Sequence, residues 1–137
     1  TAITFETEEI TIAENTQRMV DIMAHFPYLV YEEQGHVLGY AYAHYWKARA
    51  AYRHTAEVTI YLASDATGRG IGTRLLGRLI DECRQRGVHV LIACITQGNE
   101  ASVALHRKLG FVQVSCFHQV GRKFGRWLDV IDMELRL

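Results

Sequence analysis

Ala66-Thr-Gly-Arg-Gly-Ile-Gly-Thr-Arg-Leu-Leu76 lies between a strand-like run, Thr55 to Ala63, and an amphipathic helix-like run that begins on top of it. Glycines alternate at Gly68, Gly70 and Gly72. Glycine lets a backbone approach a ligand closely and take conformations that other residues resist. The N–H groups at a helix start form a ready site for anionic phosphate. The stretch therefore reads as the seat of a phosphorylated cofactor between strand and helix. A P-loop does not fit, because Thr73 and Arg74 follow the last glycine where a lysine and then Ser or Thr are needed. A dinucleotide fingerprint does not fit either. The spacing is GxGxG, and the region about 20 residues on, around Gly87-Val-His-Val90, carries no acid. The plain alternative is a connecting loop with no ligand.

Working outward, Leu75, Leu76, Leu79, Ile80 and Cys83 mark one face of a helix that Gly87 stops. Val88 to Ile95 is an apolar run, expected as a strand buried on both faces. Asn99 is placed to cap a helix from Glu100 to Leu109, ended by Gly110. Phe111 to Val120 and Leu128 to Leu137 read as a closing antiparallel pair around a Gly121–Gly125 turn. Upstream, Tyr28 to Glu33 and Val37 to Trp46 read as a hairpin turning at Gln34-Gly35. Lys47 to Arg53 is a basic, aromatic loop. Before Pro27, Thr11 and Glu14 are spaced as a capping box for a helix running through Ile12, Met19, Ile22, Met23 and Phe26. Thr1 to Phe5 is a short strand-like run. The order β-β-β-α-β-α-β-β describes one α/β domain, residues 1–137, around a mixed sheet.

Composition narrows the function. The chain is 49% hydrophobic and 22% charged, a globular balance rather than a disordered one. Fifteen basic residues cancel fifteen acidic ones, so bulk nucleic-acid binding is not expected. Cys83, Cys94 and Cys116 are far apart with no CxxC pair, which reads as buried, reduced thiols of a cytoplasmic protein. The seven histidines show no metal spacing, and no metal is expected. No apolar run approaches the roughly 20 residues of a membrane span, and no signal peptide is read at the start. No membrane partner is expected.

Gly68-Arg-Gly-Ile-Gly72, the strand before it, and Asn99-Glu-Ala-Ser-Val-Ala-Leu-His-Arg-Lys-Leu-Gly-Phe111 together resemble the GNAT superfamily of acetyl-CoA-dependent N-acetyltransferases. Its pyrophosphate loop reads Arg/Gln-x-x-Gly-x-Gly/Ala, and here Thr67 stands at the first position. Trp46 to Tyr52, Thr55-Ala-Glu57 with Tyr61, and Lys123 to Asp129 narrow the likeness to phosphinothricin and methionine sulfoximine or sulfone N-acetyltransferases. The likeness runs through nearly the whole chain. It implies a GNAT-like mixed, mostly antiparallel sheet flanked by helices. Set against that family, the chain is expected to lack the first strand and helix, in keeping with a start at Thr1 and a truncated N-terminus.

The resemblance also implies roles. An amine must lose a proton before it can attack a thioester, and Glu57 is expected as the base. His106 is expected as a second base, or as the acid that protonates the departing thiolate. Ile60, Tyr61 and Leu62 would offer strand backbone to acetyl-CoA. Thr67, Gly68, Arg69, Gly70, Ile71, Gly72 and Thr73 would cradle its pyrophosphate, with Asn99 and Ser102 near its pantetheine and adenosine parts while capping their own helix. Lys47, Arg49 and Tyr52 would hold the acceptor, Arg49 or Lys47 pairing with its carboxylate. The implied partners are a small amine or amino-acid substrate and a second copy of the chain. Acetylation of another small amine and a non-catalytic acyl-CoA-binding module are the alternatives.

Overall fold

The computed structural model describes residues 26–137. The expected strand at Thr1–Phe5 and the capped helix before Pro27 lie outside the described residues. Six strands form one sheet in the order β1-β2-β3-β4-β6-β5. The strands β1 (Tyr28–Glu33) and β2 (His36–Tyr45) form the expected hairpin. Its turn residues Gln34 and Gly35 both have positive φ, at 51° and 79°, which suits the twist of a tight hairpin. β3 (Thr55–Leu62) pairs antiparallel with β2 from Ala56 to Leu62. Then α1 (Ile71–Gln85) crosses over to β4 (Val90–Thr96). After α2 (Glu100–Lys108), the hairpin of β5 (Val112–Lys123) and β6 (Arg126–Arg136) closes the sheet, with β6 inside against β4. Only the β3–β4 pair is parallel. The sheet is mixed and mostly antiparallel, as expected.

Helix α1 is held by its apolar stripe. Leu75, Leu76, Leu79 and Cys83 are fully buried in one cluster with Leu29, Tyr31, Ala41, Ala43, Ala56 and Val58 from alternate positions of the first three strands. Truncating such a leucine costs about 2–5 kcal/mol. Gly72, in the first turn of α1, is packed as closely. A Cβ there would meet Leu62 and Leu105 at 3.2 Å, so glycine lets α1, β3 and α2 converge.

Two expectations need correcting. The closing hairpin does not turn over Gly121–Gly125, because Gly121 is inside β5 opposite Leu128 and the turn is Phe124-Gly125 alone. A bulge between Phe117 and Gly121 shifts the register and hides this in the sequence. The strand expected to be buried on both faces is open at Cys94 and Thr96. There it leaves β3 and borders a cleft.

Candidate active site

Strands β3 and β4 touch over only three pairs, Thr55↔Val90, Ala56↔Leu91 and Glu57↔Ile92, and then part. Beyond Glu57 the edge of β3 that faces β4 has no strand partner, so its backbone polar groups are open to a ligand. A cavity of about 260 Å³ fills one part of the gap, lined by Ile60, Tyr61, Leu62, Thr67, Asn99 and Ser102 among others. A second, of about 130 Å³, lies against Glu57, Cys94 and His106. Ile60, Asn99 and Ser102 line both, so the two form one cleft.

The glycine loop meets this cleft at Thr67. Gly70 is the residue before α1, with φ 77°, and no side chain caps the helix. The first-turn N–H groups, Ile71 to Thr73 among them, therefore have neither helical nor side-chain partners. A fifteen-residue helix beginning on bare amides suits an anionic ligand. The Arg69 side chain is engaged elsewhere: its guanidinium reaches both Glu33 carboxylate oxygens at 2.8 Å. That pairing holds the Glu33 carboxyl below the usual range, and it leaves only the Arg69 backbone for the cofactor role.

Helix α2 starts differently. Asn99 Oδ1 accepts the Ser102 N–H at 3.2 Å, so Asn99 is the cap that the sequence suggested. Ser102 is not a cap. Its carbonyl lies 2.7 Å from His106 Nδ1, and its hydroxyl lies 3.4 Å from the same nitrogen. A carbonyl oxygen can only accept, so the proton sits on Nδ1 and Nε2 keeps a lone pair. Burial pushes the His106 imidazole below its ordinary range, against the pull of the Ser102 bond. His106 is 2% exposed and packs edge-on against Phe111, whose ring centroid is 5.0 Å away.

Glu57 is half-buried at the point where the strands part. Burial raises its carboxyl above the ordinary range, Asp132 raises it further, and Lys47 pulls it down. Lys47 follows β2 in a loop where its ammonium lies 4.7 Å from the Trp46 ring and Tyr52 packs edge-on against the same ring. Arg49 is exposed just before the short turn Ala50–Tyr52. The loop thus brings one of its two expected anion-binding cations, Lys47, into electrostatic reach of Glu57.

Sequence reading missed three features. Asp132 on β6 stands opposite Cys94 on β4, and burial first, then Asp132, raise both the Cys94 thiol and the Glu57 carboxyl above their ordinary ranges. Tyr28, Tyr40, Tyr42 and Tyr61 form a wall of stacked rings on the face that carries Glu57, with Tyr28–Tyr42 at 5.0 Å and Tyr40–Tyr61 at 5.3 Å. Burial, with Tyr40 and Tyr42 beside it, pushes the Tyr28 hydroxyl up to about 12. Alternation along Tyr40-Ala-Tyr42 was the available signal for the wall. Nothing local marks Asp132.

A parallel pair that splits beside an uncapped glycine-led helix, with a raised carboxylate at the fork, defines an acyl-CoA-dependent acyltransferase site. The acetyltransferase (GNAT) family model matches residues 3–111, and the chain belongs to that family. It is 49% identical over 115 residues to the L-amino acid N-acyltransferase MnaT of Escherichia coli, covering 84% of this chain and 67% of that one. It is 46% identical over 112 residues to the L-methionine sulfoximine/L-methionine sulfone acetyltransferase of Salmonella typhimurium, covering 82% and 66%. The chain thus spans about two thirds of the length of these curated relatives. Among solved structures, the GNAT superfamily phosphinothricin acetyltransferase of Sinorhizobium meliloti, in complex with AcCoA, superposes with a TM-score of 0.86 at 40% identity. That match covers 99% of this chain and 75% of the other. The open strand edge, the bare amides and the continuous cleft fit acetyl-CoA as the co-substrate.

Proposed function

We propose that this chain, as a single domain, transfers the acetyl group of acetyl-CoA to the α-amino group of a small amino acid or analogue of the methionine sulfoximine, methionine sulfone or phosphinothricin type. The observation that carries the reading is the raised Glu57 carboxylate at the fork of β3 and β4, in one cleft with His106. Acetyl-CoA, when bound, supplies an activated acyl group as a thioester. Residues Gly68 to Thr73 hold its pyrophosphate on main-chain N–H groups, while Ile60 to Leu62 offer the open edge of β3 to its amide-bearing arm. Glu57 takes a proton from the acceptor's ammonium, directly or through water, and its raised basicity suits that task. His106, neutral and with Nε2 unprotonated, is the second base of the cleft, taking the amine's second proton, or the acid that passes such a proton on to the departing coenzyme A thiolate as the thioester C–S bond breaks. The ordered edge of β3 polarises the carbonyl that is attacked.

Lys47 and Arg49 hold the acceptor carboxylate, and Tyr52 shapes the same pocket. An acceptor carboxylate argues against a polycation as substrate. We further propose that the protein works in the cytoplasm as a homodimer. Support for self-association comes from the large apolar residues exposed on the closing hairpin, Val112, Val114, Phe117, Val120, Phe124 and Trp127. The three cysteines are unpaired, in keeping with a reducing compartment, but only Cys83 is buried as expected, and Cys94 and Cys116 are exposed. Among the described residues no helix is long and apolar enough to cross a membrane.

The test is thiol release from acetyl-CoA against a panel of amines. Methionine sulfoximine, methionine sulfone and phosphinothricin are expected to turn over, and amines lacking a carboxylate are expected to turn over poorly. Arg49→Ala or Lys47→Ala is expected to raise KM for the amino-acid acceptors. Losing a charge-assisted pair costs about 1.5–3 kcal/mol, or roughly 10- to 150-fold. Equal effects on acceptors with and without the carboxylate would remove the loop from the acceptor site.

A further inference from the structure

Cys116 and His118 on β5 and Asp129 on β6 bring a thiol, an imidazole nitrogen and a carboxylate oxygen within 4.8 Å of one another. The bulge in β5 assembles them. Pairing passes from Phe117↔Val130 to Gly121↔Leu128, so three residues of β5 stand against Asp129 alone, and Gln119 takes φ 57° to make the step. That step turns the Gln119 N–H onto Asp129 Oδ1 at 2.9 Å and leaves Asp129 Oδ2 3.1 Å from His118 Nδ1. Asp129 is held from behind as well. Its backbone N–H donates to Gln97 Oε1 at 2.8 Å, and its carbonyl accepts the Gln97 N–H at the same distance. One carboxylate oxygen is thus fixed, and the other faces the imidazole and the thiol.

We propose that Cys116, His118 and Asp129 form a binding site for a divalent zinc ion. One thiolate, one imidazole and one carboxylate is a donor set that suits zinc, with ligand bonds of about 2.0–2.3 Å. Donors around such an ion are roughly 3–4 Å apart by that geometry. The His118–Asp129 separation already falls in that range, and the exposed Cys116 thiol lies within 4.8 Å of both, so it has to move closer to join them. The Gln119 N–H on the non-ligating oxygen is the kind of outer bond that orients a metal-binding carboxylate. Three protein donors leave a fourth position for water, beside a cavity of about 220 Å³ that both Cys116 and Asp129 line. The spacing Cys116-x-His118 has no second local pair, and the third ligand comes from the next strand, so the chain does not advertise it. None of the three ligands lines the cleft of Glu57 and His106, although the cavity beside them shares Ile95 and Asn99 with it.

Titration of the untagged chain with cobalt(II), followed by zinc(II) competition, tests the assignment. One equivalent of cobalt per chain is expected, with a thiolate charge-transfer band in the near ultraviolet that zinc removes. Cys116→Ser is expected to abolish the band and weaken zinc binding by at least about tenfold, as loss of a ligand should exceed the loss of an outer partner. His118→Gln is expected to weaken zinc binding similarly, whereas Cys94→Ser should leave both band and affinity in place. Circular dichroism of each variant establishes that it is folded. Absence of a band in the parent chain would overturn the proposal. So would a band that survives Cys116→Ser, or one that vanishes with Cys94→Ser.

Discussion

The two described α-helices begin at the same cleft and begin in opposite ways. Helix α1 starts at Gly70, in a left-handed conformation, with no side chain to accept from its first turn. Helix α2 starts at Asn99, whose side chain accepts the Ser102 N–H. The first leaves bare amides that an anion can complete. The second completes itself and uses its first turn to orient His106 through the Ser102 carbonyl. A helix start that needs a ligand is a binding site, and one that supplies its own acceptor is scaffold. Glu57 lies in the cleft between them.

The largest effect is expected at the carboxylate. Glu57→Gln should lower turnover by about 100-fold or more, in the range for loss of a general base. Acetyl-CoA affinity, measured by calorimetry, should barely change. Full turnover in the variant would remove Glu57 as the base. The next effect belongs to the bare helix start. Gly70→Val forces a β-branched residue to positive φ, at a cost of about 1–3 kcal/mol, and relief of that strain would shift the turn that presents the amides. Acetyl-CoA binding should weaken by roughly 10- to 100-fold, with the circular dichroism spectrum retained. Normal binding would make the glycine loop a connector and erase the contrast with α2. Asn99→Ala should do the reverse. Losing the cap costs about 0.5–2 kcal/mol of stability, so the thermal midpoint should fall by a few degrees. A large loss of cofactor affinity without a fall in stability would show Asn99 to be chiefly a ligand contact.

That contrast also explains what the sequence could tell. Alternating glycines before an amphipathic run, and an Asn-x-x-Ser before a second one, are local signals, and both helix starts were legible from them. The strand order along the chain was legible for the same reason, since apolar periodicity and turn residues act over a few positions. The inward position of β6 and the three-pair contact of β3 with β4 depend on register between distant segments. Asp132 was therefore invisible as a neighbour of Glu57. The burial of His106 was not legible locally either, since Arg107 and Lys108 follow it in the chain. Its burial comes from Phe111, which returns under the helix after Gly110. The bulge in β5 concealed the turn at Phe124-Gly125 by placing Gly121 inside a strand.

The smallest effect is the sharpest test of the electrostatics between the two helix starts. The groups that face or act on Glu57 are His44 on β2, Lys47 after it, Cys94 on β4, Asp132 on β6 and His106 on α2. Burial and Asp132 both raise the Glu57 carboxyl, and Lys47 lowers it. Activity requires the deprotonated carboxylate, so kcat/KM should fall on the acid side along a limb that lies above the ordinary carboxylate range. Asp132→Asn removes a like charge, the carboxyl becomes more acidic, and the limb should move to lower pH. Lys47→Ala removes an opposite charge, and the limb should move to higher pH, beside the KM effect expected from a lost acceptor contact. His106 is held below its ordinary range by burial and should shift little in either variant. A merely structural role for Asp132 would change the height of the profile and leave its limb in place. Opposite displacements from the two substitutions, measured with a saturating concentration of acetyl-CoA, would assign the limb to Glu57. Displacement in the same direction would assign it to another group.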